Sequence, residues 1–149
     1  MGSSRVGSAQ RHCEGPFVPA EAATLDERCR EVFQVQTAGL ARRIDHVGVR
    51  RVVLGLSGGL DSTLALLVCA RTFDLLGLPR PGILAVTLPG FGTTTRTLES
   101  ARRLAACYGA ELREIDIRPA CELHIRDIGL DPKDRESITF QNLQARERT

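Results

Sequence analysis

The spacing of hydrophobic residues along the chain changes between two periods, one typical of helices and one typical of strands. Residues 1–22 show neither, and because Gly, Ser, Arg and Pro dominate residues 1–20 this segment is interpreted as a tail or an interdomain linker. From Thr24 to about His46, apolar residues recur every three or four positions. This spacing predicts a helix capped by Thr24 whose apolar stripe packs on another element.

Three short apolar runs follow this helix and are separated by helical segments. The first two runs end at Gly or Pro residues, which is typical of buried strands in βαβ units. The predicted strands are residues 51–56, 83–88 and 111–115, and the predicted helices are residues 63–76, 95–108, about 119–128 and from about 137 onward. This order predicts an α/β fold, a doubly wound parallel sheet with helices on both faces, of which the chain holds three strands.

Composition narrows the class of protein. The 149 residues are 42% hydrophobic and 26% charged, with a net charge of +2, which fits a globular domain and excludes a disordered or collagen-like chain. The longest unbroken apolar run, residues 64–70, is far shorter than the roughly 20 residues that cross a bilayer. We therefore expect a soluble, cytoplasmic protein with no membrane partner. Without a basic block, nucleic acid is not an expected partner either.

The five cysteines do not form a CxxC pair and are odd in number. This pattern fits reduced, mostly buried thiols in a reducing compartment better than a disulfide framework or a zinc site.

The segment SGGLDS, residues 57–62, is the feature that points most directly to chemistry. It follows the first predicted strand and opens a helix, which is where open α/β sheets bind ligands. Gly58 and Gly59 permit backbone angles and a close approach that let N–H groups cradle a phosphate, and the helix adds its positive end. Asp61, an anion among phosphate binders, fits best with a cation such as Mg²⁺. An isolated Gly-Gly pair is more often a capped turn, but this placement favours phosphate binding.

The same segment resembles the pyrophosphate loop of the ATP pyrophosphatase superfamily, and no Lys follows the glycines as it would in a Walker A loop. Three motifs in order resemble the NAD⁺ synthetase family: GLSGGLDSTLA at 55–65, LPGFGT at 88–93 and TFQNLQARERT at 139–149. The resemblance covers about residues 30–149 and implies the adenine-nucleotide α-hydrolase-like fold. Residues 13–19 and 28–40 also resemble the junction before the C-terminal synthetase domain of the glutamine-dependent type.

The resemblance implies an ATP-dependent ligase that amidates deamido-NAD⁺ to NAD⁺. The nicotinate carboxylate attacks ATP, pyrophosphate leaves, and ammonia, supplied directly or from glutamine, displaces AMP from the acyl-adenylate without a protein nucleophile. The implied ATP-binding residues are Gly55, Leu56, Ser57, Gly58, Gly59, Leu60, Asp61 and Ser62, with Asp61 also a Mg²⁺ ligand. Asn142 and Arg146 are implied to bind deamido-NAD⁺. The family also implies a homo-oligomer.

Several of these positions have a second interpretation. Asn142 and Arg146, four residues apart, share one helix face, but the pattern alone also fits a solvated helix with Leu143 facing inward. Arg148, two residues beyond Arg146, is predicted to point elsewhere and is left out of the core site. His124 is interpreted as a packing or surface residue. Residues 88–92 are either a plain turn or, by resemblance, a border of the adenosine pocket.

The chain also departs from the family pattern. Ser137 and Gln141 stand where the family usually has Asp and Glu, although Ser137 can still cap a helix.

Residues 23–149 are expected to form the N-terminal part of a synthetase domain that is incomplete at its C-terminus. If the first strand is normally central, with the second and third on one side, its other edge is bare. The alternative function is therefore a non-catalytic truncated fragment that retains only partial nucleotide binding. A third possibility is another enzyme of the ATP pyrophosphatase superfamily, but the resemblance to those enzymes is limited to residues 57–62.

Overall fold

The structure is a computed structural model that describes residues 21–148, and it contains the predicted order of helices and strands. The predicted tail, residues 1–22, lies outside the described residues except for Glu21 and Ala22. The helices are α1 (Ala22–Val47), α2 (Leu60–Leu75), α3 (Thr95–Tyr108), α4 (Arg118–Asp127) and α5 (Ile138–Arg146). The strands are β1 (Val52–Gly55), β2 (Ile83–Thr87) and β3 (Glu111–Glu114), and a short 3₁₀ helix covers Arg80–Gly82.

The chain divides into two compact units, Met1–Val35 and Gln36–Thr149. The described part of the first unit is the start of α1, an exposed segment with an Arg30–Asp26 ion pair at 2.9 Å. The prediction that Thr24 caps this helix is wrong. The helix begins at Ala22, so Thr24 already lies inside its first turn, and its hydroxyl contacts the Glu21 carboxylate at 3.5 Å.

The second unit is built on a parallel sheet with the strand order β1-β2-β3. The register pairs Val52 with Ile83 and Leu54 with Ala85. Leu112 of β3 pairs with Ala85 from the other side. These side chains share one face because alternate residues of a strand point the same way. Because β1 and β2 are parallel, their carboxyl ends are neighbours at the same end of the sheet.

The main core lies between this face of the sheet and α2 and α3. Leu66, Phe73, Ile83, Ala85 and Ala101 are each fully excluded from solvent. Burying a side chain such as Phe73 stabilises the fold by roughly 1.5–3 kcal/mol. The end of α1 joins the same core through Ile44, and the carbonyl of Thr37 accepts a hydrogen bond from the Thr72 hydroxyl at 3.4 Å.

The first strand was predicted to be buried, and this is true of one face only. Val52 and Leu54 pack on the main core, whereas Val53, on the opposite face, is 69% exposed. The reason is that successive side chains of a strand point to opposite faces, and the main core packs on the face that holds Val52 and Leu54. The expectation that the second and third strands lie on one side of the first is confirmed.

A second, smaller core joins α4 and α5 beyond the carboxyl end of the sheet. Its buried residues are Ile117, Cys121, Ile125, Phe140 and Leu143. The Phe140 ring also packs against Phe91, which follows β2, with ring centroids 5.5 Å apart. Ser137 caps α5 as predicted, because its hydroxyl accepts a hydrogen bond from the Phe140 N–H at 3.2 Å. This core fixes the position of α5 relative to the segment after β2.

The prediction of mostly buried cysteines is correct for part of the set. Cys29 and Cys107 are exposed, Cys69 is half-buried and Cys121 is buried, while Cys13 lies outside the described residues. Burial raises the pKa of the Cys69 and Cys121 thiols, which disfavours the reactive thiolate. Of the helices within residues 21–148, none is both long enough and apolar enough to cross a membrane.

Candidate functional site

The glycine-rich loop connects the carboxyl end of β1 to the start of α2, as the sequence predicted. Gly58 has a φ of +81°, a conformation that L side chains rarely adopt. A Cβ at this position would also lie 2.4 Å from the Thr97 carbonyl oxygen of α3. Gly59, by contrast, has an ordinary extended backbone, and a Cβ there would meet the Ser57 hydroxyl at 3.3 Å. The loop therefore requires glycine at position 58, whereas position 59 can accommodate a Cβ.

Two serine hydroxyls hold the loop in shape. The Ser62 hydroxyl accepts a hydrogen bond from the Ser57 N–H at 3.3 Å and donates to the Gly59 carbonyl at 3.1 Å. The Ser57 hydroxyl accepts from the Gly59 N–H at 3.3 Å and lies 3.1 Å from the Ser62 hydroxyl. These contacts preorganise the turn, and the two hydroxyls are donors that can be redirected to an anion.

The first turn of α2 supplies further donors. The helix begins at Leu60, earlier than predicted, and its N-cap, Gly59, offers no side-chain acceptor to the first N–H groups. These groups have no partner within the helix, and the helix dipole places positive potential around them. The loop and the start of α2 together are suited to binding a phosphate.

A cleft of about 470 Å³ opens beside the loop. Four of the eight predicted ATP-binding residues line it: Gly55, Leu56, Ser57 and Gly59. Gly58, Leu60, Asp61 and Ser62 do not line it, and Leu60 is 85% exposed on the first turn of α2. The other lining residues are Val86, Thr87, Leu88, Gly92, Thr93, Thr97 and Arg148.

Arg148 is the charged residue among those that line this cleft, and the sequence analysis left it out of the site. Its spacing from Arg146 predicted a different direction for its side chain, and the structure agrees, since the two arginines line different pockets. The Arg148 side chain lies against the segment after β2 and lines the loop cleft. Its Nε donates to the Leu88 carbonyl oxygen at 3.5 Å. The sequence carries no local signal for this contact because it joins residues 60 positions apart.

The segment after β2 forms another wall of the cleft, and α5 holds it in place. The Gly90 N–H donates to the Thr93 hydroxyl at 2.9 Å, which closes a turn. The Phe91 N–H donates to Oε1 of Gln144 at 3.0 Å, and Gln144 itself is only 7% exposed. A buried amide that satisfies a backbone N–H stabilises this one conformation of the turn. The segment is thus tied to the last helix of the chain rather than being a free turn.

Asn142 and Arg146 line a second, separate pocket of about 740 Å³. Both side chains are exposed on one face of α5, as their spacing predicted. The other lining residues are His124, Ile128, Thr139, Leu143 and Ala145. His124 is half exposed, and its Nδ1 lies 2.9 Å from a Glu147 carboxylate oxygen. The structure therefore brings Asn142 and Arg146 together in a pocket that shares no lining residue with the loop cleft.

Charged side chains at the carboxyl end of β3 are paired with one another. Arg102 contacts Glu114 at 2.6 Å, and Arg118 contacts Asp116 at 2.9 Å. Hydrogen bonds from the Arg118 side chain and from its backbone N–H lower the pKa of Asp116 to about 2. Hydrogen bonds from Arg102 similarly lower the pKa of Glu114. Neither pair lines the loop cleft, and their charges are largely neutralised within each pair.

Asp61 is the candidate metal ligand. Its surroundings fit a magnesium ion that arrives with a nucleotide better than a metal centre formed by protein side chains alone. Within residues 21–148, no three His, Cys, Asp or Glu side chains are grouped closely enough to hold a metal ion. Asp61 is an exposed carboxylate on the first turn of α2, next to the predicted phosphate-binding loop. Magnesium in nucleotide sites commonly uses one or two carboxylates together with substrate phosphates and water. Asp61 therefore fits as a single protein ligand to a metal carried by a nucleotide.

Comparison with known proteins places most of the chain in the family that its sequence motifs resemble. A family model described as NAD synthase matches residues 32–149. A glutamine-dependent NAD(+) synthetase of Mycobacterium leprae is 45% identical over 138 residues, which is 90% of this chain and 20% of that protein. The chain thus spans about a fifth of the length of this curated relative.

Solved structures with the same fold include two proteins at 27% sequence identity. A glutamine-dependent NAD+ synthetase from Acinetobacter baumannii, in complex with ADP, aligns with a TM-score of 0.68 over 80% of this chain and 22% of its own. An NMN synthetase from Francisella tularensis aligns with a TM-score of 0.65 over 80% and 46% respectively. The α/β architecture is that of the adenine-nucleotide α-hydrolase-like fold of these enzymes. With the family model covering most of its residues, the chain belongs to the NAD synthase family.

Proposed function

We propose that this chain serves NAD⁺ biosynthesis by the ATP-dependent amidation of deamido-NAD⁺ through an acyl-adenylate, with release of AMP and pyrophosphate. The observation that carries the proposal is the glycine-rich loop between β1 and α2, which lines a cleft at the carboxyl end of a parallel sheet. This is where open α/β sheets bind nucleotides. The ADP bound to the Acinetobacter baumannii relative supports an adenine nucleotide as the ligand.

The residues of the loop suit the departure of pyrophosphate. The Ser57 and Ser62 hydroxyls lie 3.1 Å apart in the loop, beside the start of α2, whose first N–H groups receive no side-chain cap. Such donors stabilise negative charge that accumulates on a leaving pyrophosphate, and they are in place before the reaction begins. The nucleophile in this reaction is the nicotinate carboxylate, so the protein's task is to align two anionic substrates that otherwise repel each other.

Asp61 is the proposed ligand for Mg²⁺. The ion would supply charge neutralisation on the phosphates of ATP. Asp61 is suited to this role because it is exposed on the first turn of α2 and, among residues 21–148, belongs to no carboxylate cluster that could bind a metal without nucleotide.

Asn142 and Arg146 are the proposed contacts to deamido-NAD⁺. They lie in one pocket, where Asn offers both a donor and an acceptor, and Arg offers a fork that matches carboxylate or phosphate. We further propose that residues 23–149 belong to the N-terminal part of a synthetase domain preceded by a linker, and that the enzyme is a cytoplasmic homo-oligomer. The 45% identity to a glutamine-dependent enzyme supports glutamine as the source of ammonia.

A nucleotide-binding chain without turnover is the second candidate. It is favoured by the position of β1 at the edge of the described sheet, where β1 can accept a further strand beside the loop. If this second candidate is correct, the 149-residue chain binds MgATP but produces no NAD⁺.

One experiment separates the two candidates. The chain is incubated with deamido-NAD⁺, MgATP and ammonium, and NAD⁺ is measured by enzymatic cycling, while binding of MgATP is measured in parallel. NAD⁺ formation that is lost in Asp61→Asn, but kept in the matched variant Asp127→Asn of the exposed end of α4, supports the ligase. MgATP binding without NAD⁺ formation supports the second candidate. Failure to bind MgATP at all contradicts both.

A further inference from the structure

We propose that Arg148 is a nucleotide-binding residue of the loop cleft that contacts the phosphate groups of ATP. The proposal rests on the proposed function for the identity of the ligand. It goes beyond that function by assigning a positive side chain from the end of the chain to a site otherwise built from the loop and the carboxyl ends of β1 and β2.

The position of the Arg148 guanidinium is defined by the segment after β2. Its Nε donates to the Leu88 carbonyl oxygen at 3.5 Å. A Cβ on Gly90 would stand 2.9 Å from one terminal nitrogen of Arg148, so the guanidinium lies directly against this glycine. Leu88 itself lines the cleft together with Ser57 and Gly59 of the loop. Arg148 thus occupies a wall of the same cavity as the loop.

Helix geometry explains why Arg148 reaches this cavity whereas Arg146 does not. Gln144 and Arg148 are four residues apart and share one side of the last helix and its C-terminal turn. Gln144 is anchored on that side by its hydrogen bond from the Phe91 N–H at 3.0 Å. Asn142 and Arg146 share the other side and line the separate pocket. The buried contact of Gln144 therefore directs Arg148 toward the segment after β2.

The charge of the cleft gives Arg148 a function beyond packing. Among the described residues that line the cleft, Arg148 carries the only charged side chain. The nearby arginines Arg102 and Arg118 are already paired with Glu114 and Asp116. A guanidinium beside N–H and hydroxyl donors forms charge-assisted hydrogen bonds to phosphate, which are stronger than neutral ones. Adenosine, which carries no phosphate, gains nothing from this charge.

The test compares ATP with adenosine in the 149-residue chain. Affinities for fluorescent N-methylanthraniloyl-ATP and for the corresponding adenosine are measured for the wild type, Arg148→Gln, Arg148→Lys and the matched variant Arg103→Gln on the exposed surface of α3. We expect Arg148→Gln to weaken ATP binding roughly tenfold, which corresponds to about 1.4 kcal/mol, because a charge-assisted hydrogen bond to phosphate is lost. Adenosine binding is expected to be unchanged, and Arg148→Lys is expected to recover part of the ATP affinity.

Each outcome distinguishes the roles. Equal ATP affinity in Arg148→Gln and Arg103→Gln would overturn the assignment while leaving the proposed nucleotide site intact. Parallel losses for ATP and adenosine, together with a lower melting temperature, would overturn it in favour of a structural role for Arg148 at the Leu88 carbonyl. If the wild-type chain binds neither probe, the proposed nucleotide site is wrong and the Arg148 assignment fails with it.

Discussion

Replacing Gly58 by alanine tests whether the glycine-rich loop is shaped by packing against α3 as well as by its ligand. Gly58 combines a φ of +81° with an approach that would bring a Cβ to 2.4 Å from the Thr97 carbonyl oxygen. Gly59, its neighbour, has neither feature, since its φ is −85° and a Cβ would meet the Ser57 hydroxyl at 3.3 Å. Gly59→Ala is therefore the matched control.

The expected loss of stability in Gly58→Ala is the sum of three effects. The left-handed conformation costs an alanine roughly 1–2 kcal/mol. Relieving the close approach to a backbone oxygen adds about 1–3 kcal/mol, because the backbone of α3 must shift. The lower entropy of alanine in the unfolded chain returns about 0.4–1 kcal/mol. The net expectation is a loss of about 3 kcal/mol, a large share of the roughly 5–15 kcal/mol that stabilises a typical domain.

The free energy of unfolding is measured by urea denaturation followed by far-ultraviolet circular dichroism, because the chain has no Trp. Gly58→Ala is expected to unfold at a clearly lower urea concentration than the wild type, and Gly59→Ala within about 1 kcal/mol of it. Equal transition midpoints for the two variants would refute the reasoning. It would mean that neither the positive φ of Gly58 nor its contact with Thr97 constrains the loop.

Three further predictions concern stability and use the same urea assay. Ser137→Ala removes the hydroxyl that caps α5 and is expected to cost about 1 kcal/mol, and no loss would contradict the capping role. Phe73→Ala, at a fully buried position, is expected to cost about 3–5 kcal/mol, whereas Leu75→Ala, at a 56% exposed position, is expected to be nearly neutral. Because Arg118 lowers the pKa of Asp116 from 3.8 to about 2, their pairing stabilises the fold above about pH 4 and is lost as the pH falls toward 2. The stability difference between wild type and Asp116→Asn should therefore shrink over that range, and a constant difference would refute the pairing.

The sequence predicted helix boundaries best where local chemistry sets them. The predicted helix at residues 95–108 matches α3, because the Thr94 hydroxyl accepts from the Thr97 N–H and Gly109 ends the helix with a φ of +66°. The start of α2 was predicted three residues late. The glycine-rich loop carries no hydrophobic period, and Gly59 caps the helix without the side chain that usually marks such a boundary.

Burial and the composition of the site depended on tertiary structure that no local pattern encodes. The run around Val53 has the composition of a buried strand, but Val53 is exposed because it points to the face of the sheet opposite the main core. The loop at residues 57–62 was identifiable because glycines between a strand and a helix are a local signal. Arg148 was not, because its contact with Leu88 depends on how α4 and α5 pack beyond the sheet.

The last helix relates the two candidate pockets through the alternation of its side chains. Residues two apart on a helix point to nearly opposite sides, so Asn142 and Arg146 line one pocket while Gln144 and Arg148 contact the segment after β2. Between these faces, Phe140 and Leu143 are buried in the second core and hold the helix in place. In the proposed reaction, the nicotinate carboxylate must meet the α-phosphate of ATP. A helix fixed by its own core can position contacts to both substrates at once, because its two faces cannot move independently of each other.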